Sequence, residues 1–407
     1  MDGASQRPIR VAFGSVPKDG GTFTFYRNLR PALARHGIEM FCVTIGWPQN
    51  QLWEPSYADD GCVSLLPNSR SMKAQAQAFV QWCEAEQIDI VIAINSEGIL
   101  SALPHLPEHI RVVARCANAF DQGYRVTMSG RERLARIVAL TPRLRDDLVE
   151  SYGADPEMIE LIPNGVEPAG YVAPAARPRG QNDRLEIGFL GRLEHVQKGV
   201  MYLPGIVAAL KARGVPFRLR IAGKGKDRER LDAELASEIA SGEVAFLGAI
   251  GPDEVPEFLG DSDIYLFTSH FEGCPNALLE AMMAACVPVS GIIDGITDFL
   301  IEEGRTGYLC KLGDADGFAD AIATLQADRD RLAAMSRDVG AEARARYSNE
   351  TAAQSYAGLL RDVMTAPAPS VTPRAWSDFQ PDPNFPGYWR HWIPAGVKQV
   401  LRKALRR

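Results

Sequence analysis

Apolar positions along the chain follow two alternating rhythms. Short, continuously apolar or β-branched runs occur at Arg10–Ser15, 38–45 (IEMFCVTI), 62–67 (CVSLLP), 88–94 (IDIVIAI), 110–116 (IRVVARC) and 136–141 (RIVALT). Between them lie segments of helical period, one through Tyr26, Leu29, Leu33 and Ala34 and another over 71–87. Runs lacking polar alternation predict strands buried on both faces, and intervening helices predict parallel order. The rhythm stops at PAGYVAPAARPRGQND (168–183), which is rich in Pro, Gly, Ala and Arg. It restarts with LEIGFLG (185–191), FRLRIAG (217–223), VAFLG (244–248), IYLFTS (264–269) and VPVSGII (287–293). Two α/β domains are therefore expected, over 1–168 and 185–347, joined by a linker at 169–184 and facing each other across a cleft at their strand carboxyl ends. A helical segment at 348–364 opens with Ser348 or Asn349 as its N-cap.

Composition narrows the classes. A length of 407 residues suits two domains, and a net charge of −7 argues against a nucleic-acid partner, which calls for a basic face. No apolar run reaches the roughly 20 residues of a membrane span. The start, MDGASQRPIRVAF, lacks the layout of a secretory signal, so a cytoplasmic location is expected. Seven scattered cysteines (Cys42, Cys62, Cys83, Cys116, Cys274, Cys286, Cys310) form no CxxC pair and read as reduced thiols. The six histidines suggest no triad or metal cage.

Chemistry concentrates in HFEGCPNALLEAMMAACVPV (270–289). Pro275 suits a first helical turn, and Leu278, Ala281, Met282 and Ala285 make an apolar stripe. Glu280 lies off that stripe, on the face of Asn276 and Met283, and Glu272 precedes the helix. Two readings fit. Both acids can look into the cleft, beside the amides of Gly273, Cys274 and Asn276, where carboxylates would accept hydrogen bonds from a diol and amides would meet an anion. Otherwise Glu272 caps the helix and Glu280 is solvated. Gly20 and Gly21 follow the first strand and read as a phosphate-approach loop or as a plain turn. Asp261 and Asp263 precede a buried strand and read as structural rather than metal-binding. His270 fits a ligand contact or a structural role equally.

Glu272-Gly-Cys-Pro-Asn-Ala-Leu-Leu-Glu280 resembles the E-x7-E signature of retaining glycosyltransferases of the large family four, which have the GT-B fold. GRLEHVQKG (191–199), IPNGV (162–166) and DIYLFTSHFEG (263–273) resemble further segments of that family in order and spacing, and the likeness extends to about residue 364. It implies two Rossmann-like domains, with 348–364 crossing back to the first. It also implies a nucleotide-sugar donor of UDP or GDP type, no metal and no further cofactor. Carried over by position, Glu280 would bind ribose hydroxyls, Glu272 donor-sugar hydroxyls with the amides of Gly273 to Asn276, and Arg192 and Lys198 the diphosphate. Gly20, Gly21, Gly191 and Gly223 would line the phosphates and base. Many relatives carry a histidine after the strand matching IRVVARC. Here stand Arg115, Cys116, Ala117 and Asn118, so its part near the reacting carbon falls to Asn118 or Arg115, or is absent. Asp298 replaces a family glutamate after 287–293.

The extension 365–407 is set apart by its chemistry. Residues 383–407 hold six Lys or Arg and no acid, with Trp389 and Trp392 among them. Val397, Val400, Leu401, Ala404 and Leu405 keep helical spacing between the cations. Such a segment, Trp389 to Arg407, predicts an amphipathic helix on an anionic membrane surface or one packed on protein. The expected function is metal-independent, retaining transfer of a hexose-like sugar to a glycan or lipid-linked hydroxyl. The competing readings are a GT-B nucleotide-sugar epimerase or hydrolase, and an inactive nucleotide-sugar-binding module.

Overall fold

The computed structural model describes residues 7–17, 20–46, 53–171, 184–367 and 371–385. The basic extension from 386 onward, with the amphipathic helix expected there, and linker residues 172–183 lie outside the described residues.

The continuous apolar runs form two wholly parallel sheets. The first contains β1 (Ile9–Gly14), β2 (Ile38–Ile45), β3 (Cys62–Leu65), β4 (Ile90–Ala93), β5 (Arg111–Cys116), β6 (Leu134–Ala139) and β7 (Ile159–Leu161), in the order β3-β2-β1-β4-β5-β6-β7. The second contains β8 (Leu185–Leu190), β9 (Phe217–Ala222), β10 (Val244–Gly248), β11 (Ile264–Phe267), β12 (Val287–Gly291) and β13 (Tyr308–Cys310), in the order β10-β9-β8-β11-β12-β13. Side chains on both faces of the central strands are buried, Val11, Phe13, Ile92 and Val113 in one sheet and Ile187, Leu219 and Val289 in the other. That is why these runs carry no polar alternation. Two strands go beyond the sequence reading, β7 and β13. Each has three residues, stands at a sheet edge and keeps partly exposed positions, so its apolar signal is short and diluted.

The order reverses between β1 and β4 in the first sheet and between β8 and β11 in the second. Loops leaving neighbouring strands in opposite directions open a crevice at each reversal, at the carboxyl ends.

The chain passes between the sheets twice, and the two passages lie side by side. Val166 N–H donates to Tyr347 O at 2.8 Å, and Asn349 N–H donates to Val166 O at 2.9 Å. Beyond the second passage, the helix Asn349–Thr365 returns to the first domain and packs on helix α1 (Gly21–Arg35), the Tyr356 and Phe25 ring centroids lying 5.6 Å apart. Ser348 is its N-cap, its Oγ accepting from Thr351 N–H at 3.1 Å.

Residues 371–385 then run over the first domain as a strap. The Trp376 ring stacks on His105 at 4.2 Å, and Asp382 N–H donates to Ser101 Oγ at 3.0 Å. Among the described residues no helix is long and apolar enough to cross a membrane.

Losing the Ser348 cap orphans a first-turn amide at the passage that joins the domains. Ser348→Ala should therefore lower stability by about 1 kcal/mol in urea unfolding, whereas Ser348→Asp, which caps equally well, should stay near wild type. Equal losses in both would point to packing rather than capping.

Candidate active site

The second sheet's reversal lies beside the motif residues. Loop 191–199 leaves β8, and loop 268–275 leaves the neighbouring β11. Together with the N-terminus of α1 and the end of β5, they enclose a cleft of about 280 Å³ lined by Gly21, Arg115, Asn118, Asn164, Arg192, Glu272 and Asn276 among others.

Glu272 is 8% exposed and does not cap the helix that follows. Lys198 Nζ donates to its Oε1 at 2.6 Å, the aliphatic stem of Lys198 lying over Gly191. The two loops of the second domain thus meet in a largely buried ion pair. Arg192 is exposed at the cleft's edge, where it bonds Gln197 and reaches Glu194 at 3.4 Å. Exposed contacts of that kind are weak and easily exchanged for a ligand.

The helix Asn276–Met283 differs from the expected one-sided helix. Leu278, Leu279, Ala281, Met282 and Met283 are all fully buried, because the helix lies between its sheet and the helix Arg329–Arg346. Pro275 stands at the N-cap instead of inside the first turn, its carbonyl accepting from Leu278 and Leu279. Glu280 is consequently not a solvated acid. It is partly buried in a narrow crevice with Thr24, Phe25 and Asn28 of α1 and with Asn164 and Val166. Burial pushes its carboxyl up to about 7.

The two domains touch here. A Cβ on Gly273 would lie 2.1 Å from the Ala117 carbonyl oxygen, so only glycine permits this approach, and Thr141 Oγ1 donates to Gly273 O at 3.1 Å. Asn118 lies at the same contact, partly exposed to the cleft. Cys274 packs into the cores of both domains, and burial raises its thiol to about 11, which works against thiolate formation. Gly20 and Gly21 open α1, and Gly21 faces Asn276 across the cleft. Gly191 and Gly223 abut behind the loops, where a Cβ on Gly223 (φ 144°) would meet the Gly191 carbonyl oxygen at 1.8 Å. Gly223 shapes the turn there and is absent from the cleft lining.

His270 has a structural position. Its Nε2 pairs with Tyr202 OH at 2.9 Å and its Nδ1 with Val196 O at 3.2 Å, bracing the 191–199 loop. Asp263 accepts from Glu186 N–H at the foot of β8, and among the described residues no group of three or more His, Cys, Asp or Glu could hold a metal ion. Asp298 is exposed and is not among the residues lining the cleft.

Sequence reasoning missed Asn164 and Asn28. Asn164 Nδ2 donates to Asn276 Oδ1 at 2.6 Å, tying the first passage between the domains to the start of the helix. In the string PNG an asparagine reads only as a turn residue. Also missed was the crevice at the first sheet's reversal, about 600 Å³, with Ser15, Thr44, Arg70, Asn95, Glu97 and Phe385 on its walls. These residues are spread over five segments, so no local motif announces them.

A model of Glycosyltransferase Family 4 matches residues 19–169, and a model of Glycosyl transferases group 1 matches residues 184–328. The 2-deoxystreptamine glucosyltransferase of Streptomyces kanamyceticus is 29% identical over 219 residues, covering 49% of this chain and 56% of that protein. The D-inositol 3-phosphate glycosyltransferase of Corynebacterium urealyticum is 32% identical over 240 residues, covering 57% and 53%. The chain thus spans about half the length of the curated relatives it matches. Among solved structures, Anabaena HepE in complex with UDP superposes with a TM-score of 0.70 at 18% identity, covering 87% of this chain and 99% of that one, and shares the fold.

The raised Glu280 carboxyl sets a pH dependence. Folding holds its proton more tightly than the unfolded chain does, so the associated stability is complete below about pH 4.5 and is lost as pH rises through about 7. Glu280→Gln keeps the shape and cannot ionise. It should melt above wild type on the alkaline side of that window and lose the advantage on the acidic side, as followed by differential scanning fluorimetry. A pH-independent difference would refute the buried proton.

Proposed function

We propose, from the premise that the chain belongs to glycosyltransferase family 4 with a group 1 second half, that it moves a sugar from a nucleotide-diphosphate sugar to an acceptor hydroxyl with retention at the anomeric carbon. The observation that carries this reading is the pairing of Lys198 with Glu272 at 2.6 Å, with Arg192 on the same cleft and Glu280 in the adjoining crevice. Two cations suit a diphosphate, one acid suits sugar hydroxyls and one acid suits a ribose diol, the chemical parts of a nucleotide sugar. A UDP or GDP donor has these parts, and the UDP complex of the Anabaena structure supports the uridine form.

In this mechanism the bond from the anomeric carbon to the diphosphate oxygen lengthens first. Arg192, Lys198 and the first-turn amides at Gly20 and Gly21 meet the charge that grows on the leaving oxygen. The acceptor hydroxyl attacks from the face the diphosphate leaves, and its proton passes to the departing phosphate oxygen. No protein nucleophile is needed, and Asn118 supports the sugar from the first domain. The charge work rests on the chain's own fixed cations, so transfer proceeds without a metal. Closure of the domains over the donor would exclude water and so limit hydrolysis.

The acceptor takes the crevice at the first sheet's reversal. Its wall of hydroxyl, amide, Arg70 and Glu97 groups suits a polyhydroxylated ring. Relatives named for 2-deoxystreptamine and for inositol 3-phosphate support a ring of that kind. The chemistry of 386–407, cationic and Trp-bearing, supports an acceptor carried on a lipid or envelope glycan at an anionic membrane surface.

Separate roles for the two acids give the test. With UDP and GDP sugars and calorimetry, Glu280→Ala should weaken nucleoside diphosphate binding by about tenfold or more. Glu272→Ala should keep that binding and lower transfer by roughly 10²-fold or more. Equal loss of nucleotide affinity in both variants would sink the assignment, and absence of binding to any nucleotide sugar would sink the function.

A further inference from the structure

We propose that Arg115 is the first domain's cation for the donor diphosphate, a reading that rests on the nucleotide-sugar function above. Arg115 lies at the end of β5 and is 2% exposed. Its Nε donates to Tyr356 OH at 3.2 Å, its Nη2 donates to Asn164 Oδ1 at 2.6 Å, and its guanidinium carbon sits 3.8 Å from the centre of the Phe25 ring. Every one of those partners is uncharged. Among the described residues no carboxylate forms an ion pair with Arg115, although it lines the same cleft as Gly21, Arg192, Glu272 and Asn276. With Nε and Nη2 engaged, Nη1 is the nitrogen left for the cleft.

A buried cation is normally paired, because removing it from water is costly. Lys198 obeys that rule through Glu272, whereas Arg115 does not. Its three neutral contacts fix the guanidinium plane without cancelling its charge, which leaves a preoriented positive centre in a region of low dielectric. Structural needs alone would be met by a neutral donor between Tyr356 and Asn164. What the uncancelled charge can serve is an anion entering the cleft beside Gly21, and the diphosphate is the anionic part of the proposed donor.

The position adds a consequence for domain closure. Arg192 and Lys198 belong to the second domain, and Arg115 to the first. Arg115 holds Asn164, which holds Asn276 at the head of the helix carrying Glu280. A diphosphate held by cations from both sides favours the closed arrangement over the open one, because only the closed arrangement brings all three to it.

The test uses the full chain, calorimetry with UDP, GDP, uridine and guanosine, and the variants Arg115→Gln, Arg115→Lys and Tyr356→Phe. Arg115→Gln should weaken the preferred diphosphate by about tenfold or more while leaving its nucleoside within about twofold, with Arg115→Lys between the two. Its melting temperature without nucleotide should equal or exceed wild type, because an uncompensated buried charge has gone, while the shift caused by the diphosphate shrinks. Tyr356→Phe, which removes one contact and no charge, should keep the ratio of diphosphate to nucleoside affinity. A parallel loss for diphosphate and nucleoside in Arg115→Gln overturns the proposal and makes Arg115 structural. Wild-type affinity for the diphosphate in Arg115→Gln overturns this assignment alone. A wild-type protein that binds neither diphosphate overturns the donor reading together with it.

Discussion

Two backbone hydrogen bonds, Val166 to Tyr347 and Asn349 to Val166, hold the outgoing and returning passages of the chain together. At Val166 and Ser348 the two passages pair as neighbouring extended strands, which fixes one line between the domains. Gly165 packs against Asn349 so closely that its missing Cβ would lie 2.7 Å from that residue's Oδ1. With this line fixed, the loops after β5, β8 and β11 and the N-terminus of α1 line one cleft. A domain joined by a single strand would have no such axis. The glycine contact at 273 and the Asn164–Asn276 bond would then have to orient the domains unaided.

Much of this was legible in the sequence wherever burial was two-sided and continuous. IEMFCVTI and VAFLG keep the bounds read from the sequence because their apolar character begins and ends abruptly. The motif acids were legible as a pair through the resemblance of 272–280 to the family signature, whereas the residues alone left a capping acid and a solvated one equally open. What escaped was tertiary. The helix from Asn276 is buried well beyond one stripe, and no period within eight residues can announce a covering helix that begins at Arg329. Arg115 sits in a strand whose other residues, apart from Arg111 at its start, are apolar. A cation there reads as an exposed edge until α1 and the returning helix close over it. The first-domain crevice collects residues from 15 to 385, including one from the strap, and distance along the chain hid it.

The strap gives the long C-terminal extension a defined origin. Trp376 on His105 and Asp382 on Ser101 fix the chain as far as Phe385, which forms part of the first-domain crevice. Whatever follows residue 385 therefore starts at the proposed acceptor's doorstep.

The three cations of the proposed donor site stand in three electrostatic conditions, and the differences suit successive roles. Arg192 is exposed and loosely held, so it can meet an incoming anion at little cost in desolvation. Lys198 is neutralised by Glu272, which keeps a buried pair stable while the site is empty. In the proposed mechanism a sugar hydroxyl that engages Glu272 competes for that carboxylate and frees part of the ammonium's field, so Lys198 would act most strongly once donor is seated. Arg115 is neither exposed nor neutralised, and its field is present throughout. If all three were exposed, water would screen them and departure of the diphosphate would gain little. If all three were paired, each would have to break a bond as the charge developed. The mixture lets the donor enter against a solvated charge and react against desolvated ones, which is where fixed charge lowers a barrier most.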